Sequence, residues 1–444
     1  YWTIRGFLMS RLQFVGPDTP STEDLQNCVH CGFCLPTCPT YVATGHELES
    51  PRGRLHLIAG IKEGRVEANT NTIEHIDRCL QCRACETACP SAVPYGRIME
   101  DARASIMANT GNEKPLKWQL RSWALRNVLA RPRVLRISLT LGRLYSLSGL
   151  QKLIRGPLKM ILPYQLRRLE NSLPALSEKP FRANGVLLRG TEAARKVAFL
   201  TGCIHGELYP EMHRSTLTVL EHLGCEVVAP ATQVCCGALH THAGDAEAAR
   251  ALARTNIDVF AEQSVDVILV NAAGCGSAMK EYGRLLRHDP EWAEKAGQFS
   301  EKVQDILEFV AGENFSKNLG RVEEVVTLQD ACHLAHAQKE KAAPRAILSA
   351  IPGVRFVEMK TPDRCCGSAG IYSIVQPSLS GQVLDSKLTD IYSVEADVVC
   401  TANPGCTLQL EAGLRRDSSS IEVVHVIEIL ARSIREFRDI GVSD

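Results

Sequence analysis

The spacing of its cysteines constrains this chain more than any other feature of the sequence. There are 18 cysteines among 444 residues, and most are adjacent to another cysteine or separated from it by two or three residues. Disulfides between cysteines this close would close loops too short for ordinary disulfide geometry. The N-terminal residues lack the apolar run of a secretory signal. Clustered cysteines in such a chain are typical of intracellular metal-binding proteins. We therefore expect a cytoplasmic metalloprotein, and we leave residues 1–8 aside because Met9 begins the stretch MSRLQF.

The composition excludes several other classes of protein. Apolar residues make up 45% and charged residues 23% of the chain, which is ordinary for a globular protein and unlike a disordered chain, collagen or a coiled-coil rod. Lysine plus arginine number 50, as do aspartate plus glutamate, so the net charge indicates no nucleic-acid partner. No run approaches the roughly 18 apolar residues of a membrane-spanning helix. The length is compatible with about three domains.

The first eight cysteines form one motif that occurs twice. Residues 28–39 read CVHCGFCLPTCP and residues 79–90 read CLQCRACETACP, so each copy is Cys-x2-Cys-x2-Cys-x3-Cys-Pro. This is the pattern of bacterial ferredoxins with two [4Fe–4S] clusters, in which the fourth cysteine of each copy binds the cluster of the other copy. It predicts a two-cluster ferredoxin-type domain over residues 20–110. The expected ligands are Cys28, Cys31, Cys34 and Cys89 for cluster 1, and Cys79, Cys82, Cys85 and Cys38 for cluster 2.

A pair of zinc sites is the alternative interpretation of these cysteines. Zinc sites usually join one Cys-x2-Cys pair to a distant second pair and do not need three cysteines in succession, so the iron–sulfur interpretation is favoured. We expect His30 to be a loop residue or a hydrogen-bond donor, because thiolates already complete the coordination. Arg52, Gly53 and Arg54 are interpreted as a solvated turn, with compensation of cluster charge as the alternative.

The remaining cysteines reveal an internal repeat. Four of them recur after 129 to 131 residues, so that Cys203, Cys235, Cys236 and Cys275 correspond in this order to Cys332, Cys365, Cys366 and Cys406. Near-constant spacing at four positions predicts two copies of an α/β module, over residues 191–312 and 320–444. The predicted fold class is α+β and multidomain, with a mainly α-helical N-terminal ferredoxin domain and a C-terminal pair of repeated α/β Cys-Cys-Gly modules.

In each module the cysteines follow strand-like segments. The carboxyl ends of parallel strands form the ligand-binding edge of an open α/β sheet. We therefore expect each set of four to come together, and we leave open whether one or two further clusters are held there. The predicted groups are Cys203, Cys235, Cys236 and Cys275 in the first module, and Cys332, Cys365, Cys366 and Cys406 in the second. Buried structural cysteines are the alternative.

Other residues near these cysteines receive supporting roles. Four glycines would let the backbone approach closely, and three polar side chains would orient the sulfurs or donate hydrogen bonds to them. These residues are Gly237, Gly274, Gly367, Gly405, Asn271, Asn403 and Asp330. Cys225 and Cys400 are interpreted as core residues. Five histidines do not align between the modules, so we interpret them as structural, with contact to a cluster or a quinone as the alternative: His205, His240, His242, His333 and His336.

A basic segment connects the two halves of the chain. Residues 114–169, within a helical linker predicted over 111–190, contain 13 lysines or arginines and no aspartate or glutamate. Apolar residues lie between these cations, and Leu150, Leu153 and Ile154 follow a helical period. Pro157 is expected to kink or split this helix. The segment is interpreted either as a solvated face that braces the domains or as a surface for an anionic membrane or an acidic partner.

Sequence motifs for nucleotide cofactors are missing. There is no Gly-x-Gly-x-x-Gly after a strand and no phosphate-binding loop. The sequence therefore offers no obvious site for a flavin or a nicotinamide, and we expect two-electron chemistry to take place on another protein.

Taken together, these motifs resemble the iron–sulfur subunits of bacterial glycolate oxidase. The resemblance runs from about Gln26 to Leu430 and is carried by CVHCGFCLPTCPTY, PRGRLHLI, DRCLQCRACETACPS, GCGSAMKEYG, AHAQK, CCGSAGIY and TANPGC. The same architecture is shared more loosely with anaerobic glycerol-3-phosphate dehydrogenase, lactate-oxidation proteins and heterodisulfide reductase.

The resemblance implies an electron-transfer subunit of an oxidoreductase complex, with no catalytic residue of its own. Flavin (FAD) subunits would oxidise glycolate to glyoxylate, and this chain would pass the electrons singly towards a quinone or another membrane acceptor. It would be cytoplasmic, and a peripheral position on the inner face of the cytoplasmic membrane is left open. The alternatives are the equivalent subunit of a lactate or anaerobic glycerol-3-phosphate dehydrogenase, and a heterodisulfide-reductase-like thiol–disulfide catalyst.

One departure bears on the last alternative. Heterodisulfide-reductase-like modules carry an additional cysteine three residues before the final one, where this chain has Ala272 and Asn403. Four thiolates per module suit an ordinary [4Fe–4S] cluster. The departure weakens the case for a non-cubane cluster and for disulfide reduction.

Overall fold

The fold is taken from a computed structural model, which describes residues 14, 16–110, 115–156, 163, 170, 176, 179–190 and 194–441. Within these residues the chain forms two units. One extends to Ser122 and includes Leu239–Ala246, and the other contains Trp123–Ala238 and the residues from Glu247 onward. The two units do not coincide with the four predicted domains. Most of both Cys-Cys-Gly modules lies in one unit, whereas residues 239–246 of the first module belong to the other unit.

The N-terminal unit is helical, as predicted. Side-chain caps define two helix starts, since Ser50 accepts a hydrogen bond from the N–H of Gly53 at 2.9 Å and Asn69 accepts one from Thr72 at 3.1 Å. The helices are α1 (Thr22–Gln26), α2 (Pro39–Thr44), α3 (Pro51–Lys62), α4 (Thr70–Asp77), α5 (Ala84–Thr87), α6 (Tyr95–Asn109) and α7 (Leu116–Ala124), with a 3₁₀ turn over Glu47–Glu49.

The core of this unit holds the cysteine loops in place. Ile58, Ile76 and Met99, from α3, α4 and α6, are buried together with Cys79 and Cys85. The motif loops therefore rest on an apolar core and do not depend on bound metal alone for their shape.

The basic segment is helical where it is described. After α7 come a π-helical turn over Leu125–Leu129 and the helices α8 (Pro132–Leu147) and α9 (Leu150–Arg155). None of the described helices combines the length and the apolar content needed to cross a bilayer. Several features noted in the sequence lie outside the described residues, namely residues 1–8, Lys114, Pro157, Lys159, Arg167 and Arg168.

The C-terminal unit contains two β-sheets. Their strands are β1 (Gly185–Leu188), β2 (Lys196–Leu200), β3 (Glu226–Ala229), β4 (Val267–Val270), β5 (Val303–Asp305), β6 (Val325–Leu328), β7 (Arg355–Phe356), β8 (Val398–Thr401) and β9 (Glu422–His425). The first sheet has the order β1-β3-β2-β4-β5 and the second the order β7-β6-β8-β9. If β1 is left out, the strands of the two modules run β3-β2-β4-β5 and β7-β6-β8-β9, so in each module the second strand in the chain lies at one edge, beside the first strand. All of these neighbouring strands are parallel. The predicted α/β repeat is therefore confirmed in the strand order.

Strand β1 lies before residue 191, where the sequence predicts the first module to begin. It pairs antiparallel with β3, Gly185 opposite Ala229 and Val186 opposite Val228. The sequence analysis assigned these residues to the linker. A four-residue edge strand that is only half-buried leaves too short an apolar pattern to be recognised.

The helices of the C-terminal unit cover both faces of the two sheets, and the central strands β4 and β8 are buried along their whole length. The helices are α10 (His205–Leu208), α11 (Pro210–His222), α13 (Ala246–Ala261), α14 (Ala273–Lys280), α15 (Tyr282–Leu285), α16 (Ala293–Lys302), α17 (Ile306–Ala311), α18 (Ala342–Ala350), α19 (Tyr372–Val375), α20 (Pro377–Tyr392), α21 (Pro404–Arg416) and α22 (Val426–Gly441), with a π-helical turn over His333–Ala337. Helix α12 (Ala238–His242) falls within this stretch of the chain, but its residues after Ala238 belong to the N-terminal unit.

The two modules pack against each other reciprocally. Helix α11, which follows β2 in the first module, contacts α22, which follows β9 in the second. In the reciprocal contact, α17, which follows β5 in the first module, packs against α18, which follows β6 in the second. Ion pairs at 2.9 Å join Arg435 to Glu211 and Arg438 to Glu221 across this contact. One continuous apolar core includes both sheets. The modules therefore form a pseudo-symmetric pair.

Candidate metal centres

The two copies of the ferredoxin motif adopt the same backbone turn. The residue before the second cysteine has a positive φ in both copies, 57° at His30 and 52° at Gln81. The residue after the second cysteine does too, with 85° at Gly32 and 62° at Arg83. Left-handed residues at such positions make successive N–H groups converge into a concave loop. In the second copy, the N–H of Gln81 donates to Sγ of Cys79 at 3.3 Å.

The eight cysteines line two neighbouring cavities. Cys28, Cys31, Cys34 and Cys89 line one, and Cys38, Cys79, Cys82 and Cys85 line the other. These are the two sets that the ferredoxin pattern groups, with the fourth cysteine of each copy crossing to the other. Pro51, Cys85 and Tyr95 line both cavities, so the same three residues lie between them. The role of these cysteines as ligands stays a prediction.

The donor set suits a cluster better than a single metal ion. Among the described residues, no group of three or more His, Cys, Asp or Glu side chains is placed to hold a single metal ion. Burial raises the pKa of Cys34 to about 11, and burial followed by the charge of Cys82 raises the pKa of Cys85 well above its ordinary value. Four thiolates share such a site only with positive charge between them, which the iron of a [4Fe–4S] core carries.

Arg54 is not a solvated turn residue, and that interpretation was wrong. Its side chain is fully buried in α3, whose apolar residues carry it into the core, and it lines the cavity of Cys38 and Cys79. The guanidinium donates to the Glu49 carboxylate at 2.6 Å and to the backbone oxygens of Glu49 and His75 at 2.7 Å. Burial alone lowers the pKa of Arg54, but the charge of Cys79 and other neighbours raises it further than burial lowers it. A positive charge therefore lies against the second predicted cluster.

Arg52 and Gly53 have different roles from Arg54. Arg52 lies nearer the surface, pairs with Glu47 at 2.8 Å and donates to the carbonyl oxygen of His30 at 3.1 Å. The side chain of His30 is exposed, as expected of a loop residue. A Cβ on Gly53 would lie 2.1 Å from the carbonyl oxygen of Glu47, so only glycine fits there.

The four cysteines of the first module come together at the carboxyl ends of its strands. Sγ of Cys203 lies 3.7 Å from Sγ of Cys235, and Sγ of Cys236 lies 3.0 Å from Sγ of Cys275. The hydrogen bond with Cys235, together with burial, raises the pKa of Cys203 well above its ordinary value. As in the N-terminal unit, converging buried thiols suit a cationic iron–sulfur core.

Two residues that the sequence analysis missed hold the first Cys-Cys pair. The side chain of Asn256 donates a hydrogen bond to the carbonyl oxygen of Cys235 at 3.2 Å. The hydroxyl of Tyr282 donates one to the carbonyl oxygen of Cys236 at 2.9 Å. Both side chains are fully buried. Tyr282 belongs to the stretch GCGSAMKEYG, but a single tyrosine there gave no signal of its contact with a residue 46 positions earlier.

The second module repeats this arrangement with one change. A hydrogen bond with Cys365, together with burial, raises the pKa of Cys332, and Cys366 shares a hydrogen bond with Cys406. The fully buried side chain of Lys387 donates to the carbonyl oxygens of Thr361 and Pro362 at 2.5 and 3.3 Å. Burial lowers the pKa of Lys387, and the nearby carboxylate and thiols oppose the shift. The sequence analysis did not single out this lysine.

The last cysteine of each module lies in the first turn of a helix. Cys275 is in α14 and Cys406 is in α21. Asn403, just before α21, donates to Sγ of Cys406 at 3.6 Å, as expected of a residue that orients a sulfur. Its side-chain oxygen accepts a hydrogen bond from the N–H of Gly274 at 3.2 Å. Asn403 thus joins the two cysteine sites.

Two other polar residues do not have the role expected for them. Asn271 donates to His213 at 2.9 Å, and both oxygens of Asp330 accept from Arg345 at 3.0 and 2.9 Å. Neither residue has a described hydrogen bond to a cysteine sulfur, because these side-chain groups are engaged by His213 and Arg345. Of the five expected histidines, His205 packs edge-on against His213, with ring centroids 5.3 Å apart.

Other expectations concern the core and the glycines. Cys225 and Cys400 lie in the core that the two modules share. A Cβ on Gly367 would lie 2.6 Å from the carbonyl oxygen of Ser380, whereas the nearest atom to a Cβ on Gly237 would be 3.4 Å away. Close backbone approach therefore occurs at Gly367 more than at Gly237.

The described cations of the basic segment are of two kinds. One group forms ion pairs with the protein, and these pairs are Arg121–Asp77, Arg126–Glu247, Arg143–Glu207 and Arg155–Glu170. Within the described residues, Arg131, Arg133, Arg136 and Lys152 form no ion pair. Ile137, Leu141, Leu144 and Leu147 on α8 are 64%, 62%, 59% and 66% exposed. We call these four residues the α8 stripe.

Comparison with protein families covers most of the chain. A model described as a 4Fe-4S dicluster domain matches residues 24–93, and one described as a cysteine-rich domain matches residues 197–280 and 326–411. A third, described as the linker region of the glycolate oxidase iron-sulfur subunit, matches residues 118–173. The ferredoxin-type domain, the basic segment and the two Cys-Cys-Gly modules are thus each matched by a family model.

Individual relatives extend over nearly the whole length. The chain is 38% identical to the "Probable glycolate oxidase iron-sulfur subunit" of Bacillus subtilis (strain 168), over 95% of this chain and 97% of that one. It is 35% identical to the "Glycolate oxidase iron-sulfur subunit" of Escherichia coli (strain K12), over 93% and 95%. "Lactate utilization protein A" of Shouchella clausii is 28% identical over 53% of this chain and 98% of its own.

One solved structure has a similar fold. It is described as the crystal structure of a hypothetical protein from Helicobacter pylori, and it matches with a TM-score of 0.55 over 95% of this chain and 74% of that chain. At 11% identity the match concerns the fold alone.

Proposed function

Because this chain belongs to the family of glycolate oxidase iron–sulfur subunits, we propose that it carries electrons from a flavin subunit that oxidises glycolate to a quinone acceptor. The relatives confirm the family expected from the sequence, and the chain is an iron–sulfur component of an oxidoreductase complex. Glycolate as the substrate of the complex, the flavin partner and the quinone are the parts that we propose.

One observation carries the proposal. Two cysteine-lined cavities, with five cysteines around the first and four around the second, share Pro51, Cys85 and Tyr95 as lining residues. An iron–sulfur cluster in each would accept and release single electrons. The protein contributes the thiolates, the buried charge of Arg54 and the apolar surroundings that keep water away.

The ligands that we propose follow from these groupings. The ferredoxin-type clusters use Cys28, Cys31, Cys34 and Cys89, and Cys38, Cys79, Cys82 and Cys85. One or two further clusters use Cys203, Cys235, Cys236 and Cys275, and Cys332, Cys365, Cys366 and Cys406. Similar thiol convergence in both modules supports this extension.

The overall reaction balances without any catalytic residue from this chain. Oxidation of glycolate to glyoxylate releases two electrons and two protons, and reduction of a quinone to a quinol consumes two of each. We assign the first half to a flavin (FAD) subunit, because this sequence lacks a dinucleotide-binding motif. The chain then connects a two-electron donor to a two-electron acceptor by one-electron steps.

We also propose a peripheral position on the cytoplasmic membrane. The α8 stripe is apolar and exposed, and the neighbouring Arg131 and Lys152 are exposed and form no ion pair within the described residues. Such a helix lies in the interfacial layer of a bilayer, and each lysine or arginine near an anionic surface contributes about 1 kcal/mol. The absence of acidic residues from 114–169 favours an anionic lipid surface over a neutral one.

The test is anaerobic purification of the chain with its partner subunits, followed by iron, acid-labile sulfide and flavin analysis. Addition of glycolate is expected to reduce the iron–sulfur centres, seen as bleaching of the visible spectrum and a paramagnetic signal. Reduction by lactate or glycerol 3-phosphate and not by glycolate would refute the proposed substrate while leaving the electron-transfer role. A colourless complex with zinc and no sulfide would refute both.

A further inference from the structure

A cavity beside the first Cys-Cys-Gly site has no part in the function proposed so far. Its lining includes Cys203 and Cys235, the inner side of α8 and residues 181–183. It contains about 510 Å³ of free space, which includes its opening to solvent. Cys236 and Cys275 are not among the described residues that line it. The cavity therefore lies to one side of the four thiols and not between them.

The walls are about equally polar and apolar, and one of their cations has no described partner. Leu135, Phe181 and Val234 contribute apolar surface. The side chain of Gln233 is occupied by the N–H of Thr201 and two backbone oxygens, and Arg182 pairs with Glu207 at 3.3 Å. The guanidinium of Arg136 has no hydrogen bond or ion pair with any described residue. It is the available donor in this lining.

The shape of the cavity depends on a close backbone approach. Residues 181–183 lie against α10, where the N–H of Phe181 donates to the carbonyl oxygen of Gly206 at 2.7 Å. A Cβ on Gly206 would be 2.3 Å from the carbonyl oxygen of Phe181. The wall is therefore held by the backbone and does not depend on flexible side chains.

Helix α8 has two faces with different surroundings. Pro132, Leu135 and Arg136 face the cavity, and the α8 stripe faces outward. The same helix thus separates the cavity from the surface that we propose to lie on the membrane.

We propose that this cavity binds the head group of a quinone, with the guanidinium of Arg136 donating a hydrogen bond to a quinone carbonyl oxygen. The inference rests on the proposed function, which supplies the quinone as acceptor, and it names the binding site. Leu135, Phe181 and Val234 offer apolar contacts to a planar neutral ring, and the carbonyl oxygens of such a ring require a donor because burial without one is costly. Reduction to the quinol takes two electrons from glycolate oxidation and two protons from water at the opening.

The test is a binding measurement on the purified complex in detergent, made without glycolate and therefore independent of turnover. A short-chain quinone with a photoreactive azido group is expected to label residues 132–136, 181–183 or 231–235, identified by mass spectrometry. Arg136→Met is expected to weaken quinone affinity at least tenfold, since it removes a charged donor, and Arg136→Lys to restore part of it. Arg133→Met on the same helix is the control and should leave the affinity unchanged.

Two outcomes would overturn the inference. One is labelling confined to other parts of the chain or to a partner subunit, and the other is equal affinity in Arg136→Met and the unchanged protein. A parallel assay keeps this result separate from the proposed function. If glycolate still reduces a water-soluble dye while the quinone binds elsewhere, only the site is wrong, and if glycolate reduces neither, the proposed function fails. Leu135→Trp, which fills the cavity, provides a second variant with the same expected loss of binding.

Discussion

Lys387 occupies in the second module the position that Asn256 occupies in the first. The two residues are 131 positions apart, both side chains are fully buried, and each lies on the helix before the third strand of its module. Asn256 contacts the Cys-Cys backbone as a neutral amide, whereas Lys387 interacts with Asp390 and with the thiols of Cys366 and Cys365. Two sites with the same cysteines therefore differ in charge.

This difference predicts a difference in reduction potential. Replacing Lys387 with Met removes a positive charge beside the second-module site, so we expect its potential to fall by about 59 mV or more, a tenfold change for one electron. Redox titration followed by electron paramagnetic resonance measures it. Lys360→Met, an exposed lysine in the same module, should leave the potential unchanged. A potential that stays constant or rises in Lys387→Met would contradict the prediction.

The crossed ligand sets predict a pattern of non-additive losses. Cys38→Ser and Cys79→Ser should each remove the same cluster, about four iron atoms per chain, and the double variant should lose no more than either alone. Combining Cys38→Ser with Cys28→Ser should remove both clusters. Iron and acid-labile sulfide are measured on anaerobic preparations, with Cys225→Ala as the control for loss of a core thiol. A larger loss in the Cys38→Ser, Cys79→Ser variant than in the Cys38→Ser, Cys28→Ser variant would mean that the sets are not crossed.

A buried histidine makes stability sensitive to acid. Nε2 of His213 faces the carbonyl oxygen of Thr201 at 2.9 Å and Nδ1 faces the amide of Asn271 at 2.9 Å, which suits the neutral ring. Burial lowers the pKa of His213 to about 4 from 6.5. The unfolded chain therefore takes up the proton first as the pH falls. The stabilising contribution of His213 is fully present above pH 6.5 and lost progressively between 6.5 and 4.

The loss expected from His213 is about 3 kcal/mol of unfolding free energy across that range. Urea unfolding at pH 7 and at pH 5 measures it. His213→Gln should be less stable at pH 7 and should show a smaller decrease in stability between the two pH values. The prediction fails if the variant and the unchanged protein lose the same free energy on acidification.

The α8 stripe predicts binding to anionic vesicles. Replacing Ile137 and Leu141 with Gln should reduce co-sedimentation with vesicles that contain anionic lipid by about tenfold, because two apolar side chains no longer enter the interfacial layer. Ile374→Gln is the matched control, since Ile374 is 63% exposed and lies outside the stripe. If the unchanged protein does not bind such vesicles, the membrane position is wrong.

The two glycines that follow the Cys-Cys pairs predict unequal effects of alanine. Both have a positive φ, 83° at Gly237 and 87° at Gly367, so either substitution should cost about 1–2 kcal/mol in backbone strain. Gly367→Ala should cost more, because the new Cβ also meets the carbonyl oxygen of Ser380 at 2.6 Å. Chemical denaturation of the two variants compares them directly. Equal losses would show that the backbone relaxes at Gly367.

The sequence was sufficient for features that depend on spacing along the chain. The two ferredoxin motifs and the two repeated α/β modules followed from intervals between residues, and the same intervals predict the grouping of sixteen cysteines. Strand β1 was missed because a short edge strand carries almost no periodic signal. Arg54 was misinterpreted because an arginine beside proline and glycine looks the same in sequence whether it is solvated or buried.

By itself, the sequence therefore predicted which cysteines belong together, from the ferredoxin motif and from the repeat of four cysteines after 129 to 131 residues. The tertiary structure decided which charges surround them. Arg54 meets the carbonyl oxygen of a residue 21 positions away, and Asn403 meets Gly274 across 129 positions. Burial and hydrogen-bond partners of this kind arise only when distant segments pack together, so the local pattern around each residue does not contain them.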